Sequence, residues 1–276
     1  GAILREVGTT NRTHLKDYEN AMGENTGLLL RVHTSNYRVE GFTKEVSIQD
    51  LVALGRAYGV PVADDLGSGA LVSLAARGLP GEEPLVRESI EAGVDLVTAS
   101  GDKLIGGPQM GIVFGTRESV ARVRAHPLYR AIRCDKMTLI ALEATLRLFL
   151  DEASLAANHP TVRGLTLPKE DLVPMAEALL ARLAALDAVQ QGHVELSVDD
   201  VDDAVGAGSL PTVKLPGAAV WLRPRDIEAG ELARRLREVQ VPVFTTVRDQ
   251  AVQLHVRTLQ PGDEDDVVAA LCSAFG

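Results

Sequence analysis

The first half of the chain alternates short apolar runs with helical patterns, and this alternation restricts the possible folds more than any other feature. Thr26 to His33 (TGLLLRVH) reads as a buried strand after a glycine-containing turn. Ser47 then stands as an N-cap with Asp50 three residues on. Behind it Ile48, Leu51, Val52 and Leu54 line one helical face, and Gly59 supplies the stop. Val60 to Ala63 is the next strand and ends in Asp64-Asp65. Leu85 to Ala92 is a short helix, Val94 to Ala99 a third strand and Gly111 to Phe114 a fourth. Strands separated by helices require crossovers, so the expectation is an α/β fold on a mostly parallel sheet with helices on both faces. In such sheets chemistry lies just beyond the carboxyl ends of the strands, which makes the polar residues there the candidates.

Met137 to Leu150 is apolar nearly all round and predicts a buried helix leading out of the first domain. The stretch from Asn158 to Lys169, with Pro160 and Pro168, reads as a joint. It separates a large domain over 1–157 from a smaller C-terminal α+β domain over 158–276. In the smaller domain, helices are expected at Leu172 to Leu186, at Ile227 to Val239 and from Asp263. Strands are expected at Ala218 to Leu222, Val241 to Val247 and Ala251 to Val256. Asp199-Asp200-Val201-Asp202-Asp203 lacks the glycine and closing glutamate of a calcium loop and reads as a solvated loop.

Composition removes several function classes. Twenty-eight basic against 38 acidic side chains give a net charge of −10, which argues against binding nucleic acid through bulk positive charge, and no DNA partner is expected. No run approaches the roughly 18 apolar residues of a membrane span, and no secretory or transit pattern opens the chain. Two cysteines, Cys134 and Cys272, fit a reducing, cytoplasmic setting. The six histidines lack metal-ligand spacing, so no metal site is expected.

The stretch Ser100-Gly101-Asp102-Lys103-Leu104-Ile105-Gly106-Gly107-Pro108-Gln109 carries most of the chemistry. A lysine just after a strand and flanked by glycines leaves an amine in a cleft that backbone can approach closely. Partial burial makes such an amine a nucleophile for Schiff-base chemistry. A surface lysine in a glycine-rich turn gives the same string. Asp64-Asp65 closes the preceding strand, and pyridoxal phosphate enzymes need a carboxylate to keep the cofactor's pyridine nitrogen protonated. Asp65 is the stronger choice and Asp64 remains open, since one of the pair can cap the turn that follows. Ser100 can place its hydroxyl on the cofactor phosphate or simply cap the turn, and Asn36, after the first strand, can reach the ring hydroxyl or form an Asx turn. Arg130 and Arg133, at i and i+3, share one face if helical and form an anion site, or are simply solvated. Arg257, after a late strand, is placed to hold a substrate carboxylate or to act as a rim ion-pair partner.

These residues resemble the bacterial selenocysteine synthases, the L-seryl-tRNA(Sec) selenium transferase family. The resemblance runs in order through Glu6 to Thr13 (EVGTTNRT), Val32 to Tyr37 (VHTSNY), Gly41-Phe42-Thr43, Asp64 to Gly69 (DDLGSG) and Ser100 to Leu104 (SGDKL). It continues through Gly106 to Gln109, Asp135 to Thr138, Leu142 to Leu146 and Gly208 to Pro211 (GSLP). The resemblance implies a fold-type I enzyme in which Lys103 carries pyridoxal phosphate and Arg130 and Arg133 hold the phosphate of selenophosphate. It implies conversion of seryl-tRNA(Sec) to selenocysteyl-tRNA(Sec), by loss of the β-hydroxyl to a dehydroalanyl intermediate and addition of selenium. It also implies a homo-oligomer with active sites at subunit interfaces. Rival readings are a lyase of the same superfamily that eliminates water or ammonia from a small amino acid or amino-sugar acid, and an inactive fragment. The family's N-terminal helical tRNA-binding region and the first part of its large domain have no counterpart here, and the chain opens on Gly1, so the expectation is a portion of a longer protein. On that expectation tRNA is held mainly by the other portion, which reconciles an acidic chain with an RNA-linked substrate. Gly206-Ala207-Gly208 is a small variation on the family's glycine-rich string.

Overall fold

The computed structural model describes residues 1–206 and 208–275, so Ala207, in the middle of that glycine-rich string, lies outside the described residues. Contacts divide the chain into two compact units. One comprises 1–163 with 205–213, the other 164–204 with 214–276. The stretch read as a joint contains this division, at 163/164 instead of 157/158, and the glycine-rich loop of the second half returns to the first unit.

The first unit opens with α1 (Leu15–Ala21), β1 (Leu29–Val32), α2 (Ile48–Tyr58), β2 (Val62–Gly67), α3 (Val86–Ala92), β3 (Leu96–Ser100) and β4 (Gly111–Gly115). The sheet order is β1-β2-β3-β4, with β1, β2 and β3 parallel and β4 antiparallel to β3. α2 forms as its sequence dictates. The Ser47 hydroxyl accepts the Asp50 N–H at 3.1 Å, and Gly59 closes the helix at φ +66°. Such a cap contributes about 1 kcal/mol. Ile48, Leu51, Val52 and Leu54 are buried against Leu29, Val62, Leu66 and Val97 of the sheet.

Two expectations for this unit need correction. β1 is an edge strand, and Leu30 and Val32 are exposed on one face, so it is not buried on both sides. After α4 (Arg117–Ala125) and α5 (Pro127–Ile132), α6 (Lys136–Leu148) buries only Leu142, leaving Met137, Leu139 and Ile140 at least half exposed. Its apolar character all round is real, but this chain covers only one stripe of it. Two short helices, α7 (Leu155–Asn158) and α8 (Pro160–Thr166), follow.

The second unit contains α9 (Lys169–Leu183), α10 (Asp187–Gln190), β5 (Val194–Ala204), β6 (Lys214–Pro224), α11 (Ala229–Glu238), β7 (Thr246–Arg248), β8 (Ala251–His255) and α12 (Asp263–Phe275). Its antiparallel sheet runs β5-β6-β8-β7 over a core that includes Leu172, Leu179, Leu183, Val220, Leu222, Leu232 and Leu271. The aspartate-rich run read as a loop is the end of β5. Eleven residues pair with β6 from Val194↔Pro224 to Ala204↔Lys214. That ladder with an apolar partner strand overrides the poor strand preference of aspartate. β7 and β8 are joined through Asp249 and Gln250, both at positive φ (+50° and +57°), the two-residue connection whose twist suits a hairpin. No helix among the described residues is long and apolar enough to cross a membrane.

Candidate active site

Three parallel strands bring their carboxyl ends to one edge of the first sheet. β2 runs through both aspartates instead of stopping before them, so the strand period of two points them to opposite faces. Asp64 is fully buried. Arg31 donates to both its oxygens, from Nε at 2.8 Å and Nη2 at 2.6 Å, and the Ser89 hydroxyl donates to Oδ2 at 2.6 Å. The Asp64 carboxylate thereby ties β1, β2 and α3 together. Asp65 is only half-buried, and its Oδ1 accepts the Thr98 hydroxyl of β3 at 2.7 Å. No bond to Oδ2 is present among the described residues. A bulge between Asp65 and Gly67 then shifts the β2–β3 register and ends the strand at Gly67, φ +61°.

Lys103 lies in the turn after β3, half-buried, with no hydrogen bond or ion pair to its amine among the described residues. Glycines make room for it. A Cβ on Gly67 would sit 3.8 Å from Lys103 Nζ and 2.9 Å from the Ser35 hydroxyl, and one on Gly208 would sit 3.0 Å from both Cδ and Cε of the lysine. The turn itself is braced by backbone bonds from Leu104 N to Ser68 O (3.1 Å), Gly101 N to Met110 O (2.9 Å) and Gly107 N to Gly101 O (2.8 Å). It is braced further by His159, a buried residue that the sequence reading passed over. Its Nδ1 accepts the Val162 N–H at 3.3 Å, so Nε2 carries the proton and donates to the Ile105 carbonyl at 2.8 Å. Gly106, at φ +67°, leaves space for that ring, since a Cβ there would be 2.4 Å from His159 Cε1.

The other candidates are placed as follows. Ser100, the last residue of β3, is half-buried and its hydroxyl has no partner among the described residues. Asn36 is exposed in the turn after β1. Arg130 lies in α5 and Arg133 caps its C-terminus, both exposed and without an ion pair among the described residues. Arg257 forms an ion pair, one of its two expected roles, but in a buried setting instead of at the rim. It is 5% exposed, donates through Nε to Asp203 at 2.6 Å, and donates to the carbonyls of Gly164, Leu167 and Pro216 at 3.0, 2.8 and 2.6 Å. The guanidinium clamps elements of the second unit together.

Glu83 is a second residue that the sequence reading missed. Its Oε2 meets His33 Nε2 at 3.1 Å and its Oε1 accepts the Leu210 N–H at 3.0 Å. Burial pushes this carboxyl up, but His33, the neighbouring Ser68 hydroxyl and the Leu210 N–H outweigh it and hold the group below the usual glutamate value. Only the paired carboxylates in Glu82-Glu83-Pro84 hinted at it in the sequence.

A mostly parallel α/β sheet thus gathers at its strand ends a carboxylate and, between glycines, a lysine amine without a partner among the described residues. Residues 1–260 match the family described as SelA, L-seryl-tRNA selenium transferase. The chain belongs to this family. It is 45% identical over 271 residues to the L-seryl-tRNA(Sec) selenium transferase of Alkaliphilus metalliredigens, covering 98% of this chain and 57% of that protein. It is 47% identical over 275 residues to the Moorella thermoacetica protein of the same name, covering 100% and 58%. The Escherichia fergusonii protein of that name is 49% identical over 263 residues, covering 94% and 56%. The chain therefore spans somewhat more than half the length of these relatives. Among solved structures, D-glucosaminate-6-phosphate ammonia-lyase is similar with a TM-score of 0.59 at 20% identity, over 98% of this chain and 63% of that one, a likeness of fold alone.

Proposed function

We propose that this chain forms the lysine-bearing part of a pyridoxal phosphate enzyme that converts L-seryl-tRNA(Sec) to L-selenocysteyl-tRNA(Sec) with selenophosphate. The observation that carries the reading is the amine of Lys103, without a partner among the described residues and set between Gly67 and Gly208 in a chain of this family. The residues fit the cofactor. Among the described residues, the Lys103 amine, one oxygen of the half-buried Asp65 carboxylate and the Ser100 hydroxyl have no partner; they stand at the ends of adjacent strands, and the two glycines leave the space that a Cβ would fill. Pyridoxal phosphate, bound through Lys103, supplies an electron sink for the bond broken at the seryl α-carbon.

Each residue then has a defined task. Lys103 Nζ would hold the cofactor and, as a free amine, would take the proton from the seryl Cα. Asp65, oriented by Thr98, keeps a proton on the pyridine nitrogen through its open oxygen. Ser100 donates to the cofactor phosphate and Asn36 to the ring hydroxyl. Arg130 and Arg133 bind the anionic selenium donor, giving an acidic chain a local exception where an anion must enter. The seryl β-hydroxyl leaves as water, selenium forms its bond to Cβ, and hydrolysis of the donor's P–Se bond releases phosphate.

The working form in this reading is a cytoplasmic homo-oligomer with active sites at subunit interfaces. Its support is the apolar surface of α5 and α6. Leu128, Ile132, Met137, Leu139 and Ile140 are exposed there, and an open groove of about 400 Å³ runs along Leu139, Leu142, Leu146 and Leu150. A second copy of the chain covers this surface and buries what the helix pattern marks as core. The experiment that tests the activity compares seryl-tRNA(Sec) with free serine as substrate for the full-length protein loaded with pyridoxal phosphate. Selenium incorporation that depends on the tRNA ester is expected; turnover of the free amino acid at an equal rate would replace the transferase reading with a lyase.

A further inference from the structure

Residues 205–213, between β5 and β6 in sequence, belong to the unit that holds Lys103. Glu83 fixes them there. Its side chain is 7% exposed, with Oε1 on the Leu210 N–H and Oε2 on His33, the residue that follows β1. Leu210 is held at φ +50°, a conformation rare for a residue with a bulky side chain, and both Leu210 and Ser209 are buried. Gly208 in the same turn lies against the stem of Lys103, whose amine lies beside Gly67. One carboxylate thus links the end of β1, a strained turn and, through that turn, the lysine.

We propose that Glu83 is a positioning residue for Lys103: by holding both His33 and the Leu210 amide, it keeps the Gly208 turn packed on the lysine stem and the amine beside Gly67. The proposal rests on the reading of Lys103 as the cofactor lysine. Glu83 makes no bond to the amine, so its effect passes through the turn. Glutamine at this position preserves both links, because its carbonyl oxygen accepts the Leu210 N–H and its amide donates to unprotonated His33. Alanine removes both and leaves the strained turn without its anchor.

The test uses the full-length protein as wild type, Glu83→Ala, Glu83→Gln and Gly208→Ala. Amide hydrogen exchange of the peptide spanning 208–210 in the apoprotein reports how firmly the turn is held. Visible absorbance after addition of pyridoxal phosphate reports the rate at which Lys103 takes up the cofactor. Glu83→Ala should exchange about tenfold faster at Leu210 and take up cofactor about tenfold more slowly, with Glu83→Gln within about threefold of wild type in both. Wild-type uptake by Glu83→Ala despite faster exchange would overturn the proposal, as would a folded Glu83→Gln as slow as Glu83→Ala. If the alanine variant does not fold, Gly208→Ala decides. Its added methyl pushes the turn off the lysine stem, so uptake slows about tenfold if the turn positions Lys103, and unchanged uptake overturns the idea. Absence of lysine-bound cofactor in the wild type is a different outcome, and it defeats the underlying reading of Lys103.

Discussion

Asp64 holds Arg31 through both carboxylate oxygens, at 2.8 and 2.6 Å, on the face of β2 opposite to that of Asp65. Adjacent aspartates therefore divide two tasks, one binding the sheet together and one left open toward the strand-end cluster. Asp64→Asn removes the charge from a buried pair and should destabilise the fold by about 3 kcal/mol, read from chemical denaturation. Asp65→Asn should leave stability within about 1 kcal/mol but lower turnover by about 100-fold. Equal stability losses in the two variants would contradict this division.

The second unit offers a prediction with a pH signature. Asp203 is buried, with Oδ1 on His255 Nδ1 and Oδ2 on Arg257 Nε, each at 2.6 Å. Burial pushes its carboxyl up, but bonds from His255 and Arg257 prevail and hold it below the usual aspartate value. A lowered folded-state pKa gives stabilisation that is complete above the unfolded value of about 3.9 and fades as pH falls through the folded value. Asp203→Asn should therefore cost about 3–5 kcal/mol near neutral pH. The gap to wild type should narrow only below about pH 4. A gap that stays unchanged as the pH falls below about 4 would refute the assignment.

Much of this arrangement was legible in the residues, and the exceptions have physical causes. α2 announces itself through Ser47, its apolar face and Gly59, all local signals that the fold obeys. The glycine-flanked Lys103 after β3 is equally local. Glu83 was not legible, because its meaning depends on His33 and on a backbone amide 127 residues away. His159 is similar, reaching back 54 residues to Ile105. β5 was hidden because its aspartates argue for a loop, and only pairing with β6 makes a strand of them. Arg257 followed a strand as expected, yet Asp203 and three carbonyls capture it.

Arg130 and Arg133 are exposed, so removing either side chain should leave the unfolding midpoint almost unchanged. A charge-assisted hydrogen bond contributes about 1.5–3 kcal/mol, so Arg130→Ala or Arg133→Ala should raise KM for selenophosphate by at least about tenfold. Steady-state kinetics with the donor varied at saturating seryl-tRNA(Sec) checks this. An unchanged KM in both variants would assign the pair to solvent.

The most direct measurement concerns the lysine itself. Borohydride reduction of the full-length holoprotein, followed by peptide mass spectrometry, locates the residue bonded to the cofactor. The reduced pyridoxal phosphate adduct is predicted on Lys103, with Lys103→Ala lacking both the adduct and the visible absorbance of lysine-bound cofactor. An adduct on another lysine, or cofactor absorbance that survives in Lys103→Ala, would contradict the account.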